Sequence, residues 1–301
     1  MTEARIGNYV VISPVKDEGP YVEKTILSMS AQTLRPRRWI IVDDSSRDAT
    51  PQILRRYSEQ FPWITVLTLI RDGGRKPGSA VIHAFMAGYK EVKNDDFDFI
   101  VKLDCDLEIP VRYFERLIDR FDADPKLGIA SGIYLEINQQ SWKPVRMPDY
   151  HAAGCSKMVR AECFRQIGGF LPEGGWDTVD EIRALMLGWT TRHFTELQLR
   201  HLKIEGEGIG ANRTHVMHGE IYYRTGGGFF FFLLKVIHRA VLGKPAVVGG
   251  FMMFLGYARA WWRGEPRLVS DTEADRYRRL LNTRVLTPGT GLLTRFKQNA
   301  R

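Results

Sequence analysis

The chain has 301 residues, of which 44% are hydrophobic and 26% charged, with a formal net charge of +8. That balance is ordinary for a globular protein large enough to bury a sizeable core. The positive charge favours anionic partners such as nucleotides, anionic lipid or nucleic acid. No zinc-finger spacing, RNP motif or basic zipper helix argues for the last of these. Cys105, Cys155 and Cys163 lack C-x-x-C spacing, so neither a disulfide framework nor a zinc site is expected, as suits a reducing cytosol. Met1–Asn8 has no apolar run of the kind a signal peptide needs.

In chain order, the first half alternates strand and helix signals. Tyr9–Ser13 is a short apolar strand, and Pro20–Ala31 has helical periodicity with Val22, Ile26, Leu27 and Met29 inward. Trp39–Val42 is a second strand, ending at Asp43-Asp44. Asp48 caps a helix with Pro51 in its first turn. Ile64–Leu69, the helix Ser79–Val92 and the strand Phe97–Leu103 follow. Pro110 then opens another helix, before a fifth strand over Gly128–Ile137. This order predicts an α/β fold with a mostly parallel, doubly wound sheet flanked by helices. Beyond residue 140 helical signals dominate, with helices expected over Met158–Ile167 and Val179–Leu187.

The chemistry concentrates at the carboxyl ends of the predicted strands, where open α/β sheets bind ligands. Asp17-Glu18 follow the first strand, Asp43-Asp44 the second and Leu103-Asp104-Cys105-Asp106-Leu107 the fourth. In extended backbone, residues two apart point the same way, so Asp104 and Asp106 can converge on one divalent cation of the hard, oxygen-seeking kind, Mg2+ or Mn2+. Taken singly, each acidic group also reads as a solvated helix start or turn chemistry.

The segments VISPVKDEGPYVEKTILSMSAQT, WIIVDDSSRDAT, GSAVIHAFMAGY and KLDCDLEIPVRYFERL strongly resemble family-2 glycosyltransferases, over roughly residues 7–200. The resemblance implies the GT-A nucleotide-sugar fold. It also implies inverting transfer of a sugar from a nucleotide-diphosphate donor (UDP, GDP or dTDP) to a hydroxyl. By position it would place Ser13, Val15 and Glu18 along the nucleoside, Asp44 on the nucleotide, and Asp104 and Asp106 at the ribose and the metal. The glycine-rich, basic run from Arg71 to Gly78 precedes a helix, and its N–H groups and guanidinium suit phosphate oxygens. It reads equally as a surface loop.

Inversion needs a carboxylate to deprotonate the acceptor. The family places it at the second acid of a Glu-Asp pair opening a helix. Counting back from Gly188-Trp189 reaches Asp177, with Trp176 in place of the usual Glu. Asp180 is the rival base, and either acid also reads as a helix-start residue. Trp176 is expected to stack on an acceptor sugar. His201 is a candidate third metal ligand. His215 and His218 share a helical face, but no third ligand follows them.

The expected division is a glycosyltransferase domain over 1–225, its donor half about 1–137 and its acceptor half 138–225, with a helical tail over 226–301. Within the tail, 226–262 carries two aromatic-rich runs flanked by basic residues. Each is too short to span a bilayer and suited to lie in its interface. A core or subunit-contact helix is the other reading. A weaker resemblance to bacterial enzymes of surface-polysaccharide synthesis points to a lipid-linked or growing glycan as acceptor, at the cytoplasmic membrane face. Two other readings stand beside this one. An inactive nucleotide-sugar-binding relative is favoured only by Trp176. A sugar nucleotidyltransferase is disfavoured because Val11–Pro20 lacks a glycine-rich run.

Overall fold

The computed structural model describes residues 5–70, 79–138, 140–203, 210–242 and 247–286. The chain forms two compact units, Met1–Ile204 and Glu205–Arg301.

The first unit is built on one sheet. Strands β1 (Arg5–Val15), β2 (Leu34–Asp43), β3 (Ile64–Thr68) and β4 (Phe99–Leu103) pair in parallel, in the order β3-β2-β1-β4. Helices α1 (Val22–Ser30), α2 (Thr50–Gln60) and α3 (Ser79–Val92) connect them, as right-handed crossovers require. The short β5 (Leu107–Glu108) and helix α4 (Tyr113–Ala123) follow, then β6 (Leu127–Asn138), which forms a hairpin with β7 (Ser141–Pro144). β8 (Ser156–Arg160) inserts between β4 and β6, antiparallel to both. Two helices, α5 (Ala161–Gln166) and α6 (Trp176–Met186), lead to β9 (Thr190–His201), which runs parallel to β6 and antiparallel to β5.

The sheet is buried on both faces, as alternate residues of its strands show. Tyr9, Val11, Trp39, Ile41, Val101 and Met158 join one apolar cluster with Ile26, Leu54 and Phe114 from α1, α2 and α4. Val10, Ile12, Ile40, Val42, Ile100 and Val159 join the other with Phe85, Phe164 and Trp176 from α3, α5 and α6. Gly88 on α3 lets that helix lie close on β1 and β2: a Cβ there would sit 2.7 Å from Ile12 Cγ2 and 2.9 Å from Val42 Cγ2.

One expected element is corrected. Met158–Ile167 is not a single helix but the end of β8 followed by the six-residue α5. The slot between β4 and β6 needs a strand, and tertiary pairing overrides the local helical pattern there.

The second unit consists of α7 (Ala211–Arg224), α8 (Phe229–Leu242), α9 (Val248–Trp262) and α10 (Asp271–Leu286). Glycines bring its backbones together: a Cβ on Gly219 would fall 2.0 Å from the Met253 carbonyl oxygen, and one on Gly256 2.0 Å from that of Val216. Phe232 stacks on Tyr257 at 4.3 Å, tying α8 to α9. No helix among the described residues is long and apolar enough to cross a membrane.

Candidate active site

The strand ends carry a stitched pair of loops. After β1, Asp17 adopts φ +53°, and after β2, Ser45 adopts φ +61°. Such left-handed backbone is costly for these residues and persists only where neighbours hold it. Here the Asp17 N–H donates to Ser46 Oγ (2.9 Å), the Arg47 N–H to Asp17 Oδ1 (2.7 Å) and the Gly19 N–H to Asp48 Oδ2 (2.8 Å). The Glu18 N–H donates to Thr50 Oγ1 (2.9 Å), and the Lys203 ammonium donates to Glu18 Oε1 (2.9 Å). The Asp44 N–H donates to the Val15 carbonyl (2.8 Å), and Lys16 Nζ to the Asp44 carbonyl (2.9 Å).

The expected donor-binding residues divide. Glu18 and Asp44 lie at this edge, both largely buried. Ser13 is fully buried and its hydroxyl accepts from Trp39 Nε1 (2.9 Å), while Val15 belongs to the core. Neither Ser13 nor Val15 offers its side chain to solvent. Arg71 and Gly78 lie outside the described residues.

Asp104 and Asp106 leave the end of β4. Lys102, itself buried on that strand, is ion-paired with Asp104. Burial raises the Asp104 pKa, and the charge of Asp106 adds to that against the pull of Lys102. Asp106 Oδ2 lies 3.2 Å from His201 Nε2, and His201 Nδ1 lies 3.7 Å from Glu136 Oε1. Burial would raise the Asp106 pKa, but the hydrogen bond and charge of His201 outweigh it and hold that carboxyl below its usual range. The reverse holds for His201: burial works against its charge, yet Asp106 and Glu136 lift it to about 10. Asp106 Oδ1 is buried with no hydrogen-bond partner among the described residues. That is a costly state for a carboxylate oxygen in the absence of a ligand.

The second carboxylate group lies at the start of α6. Lys157 on β8 is directly opposite Lys102 on β4. Its fully buried ammonium donates to Asp180 Oδ2 (3.0 Å), Glu181 Oε1 (3.2 Å) and the Asp177 carbonyl oxygen (2.9 Å). Glu181 also accepts from the Ala152 N–H (2.8 Å) and meets His151 Nδ1 at 3.0 Å. Asp180 is thereby committed to an internal ion pair, and burial pushes its pKa up to about 7. Asp177 is only half-buried. Trp176 packs on Phe170 (4.8 Å), and its ring lies 5.1 Å from Lys157 Nζ and 5.6 Å from Lys102 Nζ. Its indole is buried, so it fastens the start of α6 and does not present an open face for the expected sugar stacking.

Lys102, Lys157, His151 and Glu136 were not singled out by sequence reasoning. The signal for the two lysines was a charge next to buried apolar strand residues, Lys102 in FIVKL and Lys157 before Met158 and Val159 in SKMVR. His215, also considered for a metal, instead meets Arg239 Nη2 through its Nε2 at 3.0 Å.

The family model for glycosyl transferase family 2 matches residues 10–169. The chain belongs to that family. Its fold is the GT-A type: it is similar to the mannosyltransferase PcManGT from Pyrobaculum calidifontis in complex with GDP-Man and Mn2+, at 15% identity and a TM-score of 0.53 over 99% of this chain and 80% of that one. It is also similar to S. aureus TarS 1-349 in complex with UDP-GlcNAc, at 13% identity and a TM-score of 0.53 over 90% of this chain and 78% of that one. Comparison with curated protein sequences finds no match. The chain is therefore a glycosyltransferase by family.

Proposed function

We propose that this glycosyltransferase moves a sugar, with inversion, from a nucleotide-diphosphate sugar to an acceptor hydroxyl on a lipid-linked or growing surface glycan at the cytoplasmic face of the membrane. One observation carries the reading. Lys102 holds Asp104, and its ammonium lies against the ring of Trp176, the residue before Asp177. The donor carboxylates and the candidate base helix thus meet through shared neighbours.

Among the described residues, no three His, Cys, Asp or Glu side chains converge to hold a metal by themselves. That fits Mg2+ or Mn2+ in phosphate chemistry, where one or two carboxylates share the cation with the substrate's own oxygens. The buried Asp106 Oδ1, which has no hydrogen-bond partner among the described residues, is the oxygen that such an ion would satisfy. In this reading Asp106 holds the cation, His201 would join it only by releasing its proton as the cation binds, and Asp104 lies beside it at the ribose. Bound there, the cation would neutralise charge developing on the diphosphate. Glu18 and Asp44 border the nucleotide.

On the acceptor side, Asp177 is the better base. It is the accessible acid of the group, whereas Asp180 is almost fully buried and paired with Lys157. Asp177 accepts the proton from the acceptor hydroxyl as the oxygen attacks the anomeric carbon and the diphosphate leaves from the opposite face. Lys157, bonded to the Asp177 carbonyl, fixes where that carboxylate starts.

The test is a thermal-shift screen of UDP-, GDP- and dTDP-sugars with Mn2+ or Mg2+, on wild type and Asp106→Ala. A ligand bound only by the folded state raises the midpoint. A metal-dependent shift for one nucleotide, absent in Asp106→Ala, is expected. A well-folded wild type that shifts with none of them would overturn the donor-site reading.

A further inference from the structure

We infer that the α8–α9 hairpin of the second unit is a docking face for an anionic lipid bilayer, on which it lies without spanning. The inference is independent of the donor-site reading.

Three observations support it. First, the large apolar side chains that the hairpin exposes fall on one side of each helix. On α8 these include Phe230, Ile237 and Val241, with Phe230 68% and Val241 61% exposed. On α9 they include Phe251, Leu255 and Trp262, with Trp262 85% exposed. Spacings of seven and four residues, and of four and seven, keep each set within one helical face. Their opposite sides are already used: Phe232 and Tyr257 stack between the helices, and Gly256 packs against the α7 backbone. Large contiguous apolar surface is rare on a protein with no partner for it.

Second, residues 226–263 contain five Lys and Arg, while all 35 Asp and Glu residues of the chain lie outside that segment. The exposed side chains of Arg259 and Arg263 place positive charge on α9 and at its end. This composition decides between occupants. A second copy of the chain docking the same face on itself would bring basic groups together with no acid to meet them, which opposes association. An anionic headgroup layer supplies the missing negative charge, at roughly 1 kcal/mol per basic residue.

Third, α8 has 14 residues and α9 has 15, each short of the roughly 20 that a spanning helix needs. Trp261 and Trp262 close α9, a placement that suits indole rings at a headgroup boundary.

The experiment is co-sedimentation of the full chain with phosphatidylcholine vesicles, with and without phosphatidylglycerol. Binding to the phosphatidylglycerol vesicles, weakened by salt and much weaker on phosphatidylcholine alone, is expected. Ile237→Glu and Phe251→Glu, both at exposed positions, should abolish it, and Arg259→Gln should weaken it about fivefold. Equal binding to neutral vesicles would overturn the choice of anionic lipid. Folded protein that stays in the supernatant, or Glu variants that bind like wild type, would overturn the docking face itself. If sedimentation velocity shows a dimer that the same Glu variants dissociate, with no vesicle binding, the face belongs to a second copy.

Discussion

Lys157 has no exposed surface, yet it carries a charge and serves three acceptors at once. Removing one partner of a buried ion pair leaves the rest uncompensated, so Lys157→Met should lower stability by about 3–5 kcal/mol. Denaturant unfolding reads this directly. The triple change Lys157→Met, Asp180→Asn, Glu181→Gln should recover a large part of the loss, because it strands no charge. His151 adds a pH dependence. Burial works against its charge, but the charge and hydrogen bond of Glu181 raise its pKa above the usual 6.5. Its contribution to stability is therefore complete below about pH 6.5 and is lost as pH rises through the folded value. The melting-temperature advantage of wild type over His151→Gln should shrink on going from about pH 6 to about pH 9. A constant difference would mean that the ion pair with Glu181 does not form in solution.

At the scale of elements, the loops after β1 and β2 act as one piece because Asp48 joins them. Its Oδ2 accepts from the Gly19 N–H and its Oδ1 from the Thr50 N–H at 2.9 Å. Asp48→Ala frees both donors and should cost about 1–2 kcal/mol, with weaker donor binding in the same thermal-shift assay. Gly88→Ala tests the seat of α3 on the sheet. The methyl would collide with Ile12 and Val42, an overpacking worth about 1–3 kcal/mol, which exceeds the roughly 1 kcal/mol gained in helix propensity. These first elements were legible because each buried strand is an unbroken apolar run and each helix has one apolar stripe. β8 was not legible: Met158 and Val159 continue into Cys163, Phe164 and Ile167, and that spacing also fits a helix. Only the vacancy between β4 and β6, a fact about distant residues, makes Ser156–Arg160 extended.

At the scale of the molecule, the two ends of the proposed site should separate experimentally. Asp177→Asn should keep the donor-dependent thermal shift and lose turnover, by at least the roughly hundredfold that a general base contributes. If turnover survives in that variant and is lost in Asp180→Asn, the base is Asp180. The carboxylates of the site were readable because acidic groups follow three strands at one edge of the sheet, although each alone also reads as turn or helix-start chemistry. Their lysine partners were not, since a lysine in a strand is ordinarily solvated, and only the two-sided burial of this sheet puts Lys102 and Lys157 inside.

The late arrival of β8 also orders events during synthesis. β4 and β6 are both made before the strand that joins them. Until residues 156–160 emerge from the ribosome, each presents a row of unpaired amides and carbonyls along an apolar ribbon. Such an edge templates pairing with other chains. Nascent chains from which β6 has emerged but β8 has not should therefore be the species that chaperones hold and that aggregate when released.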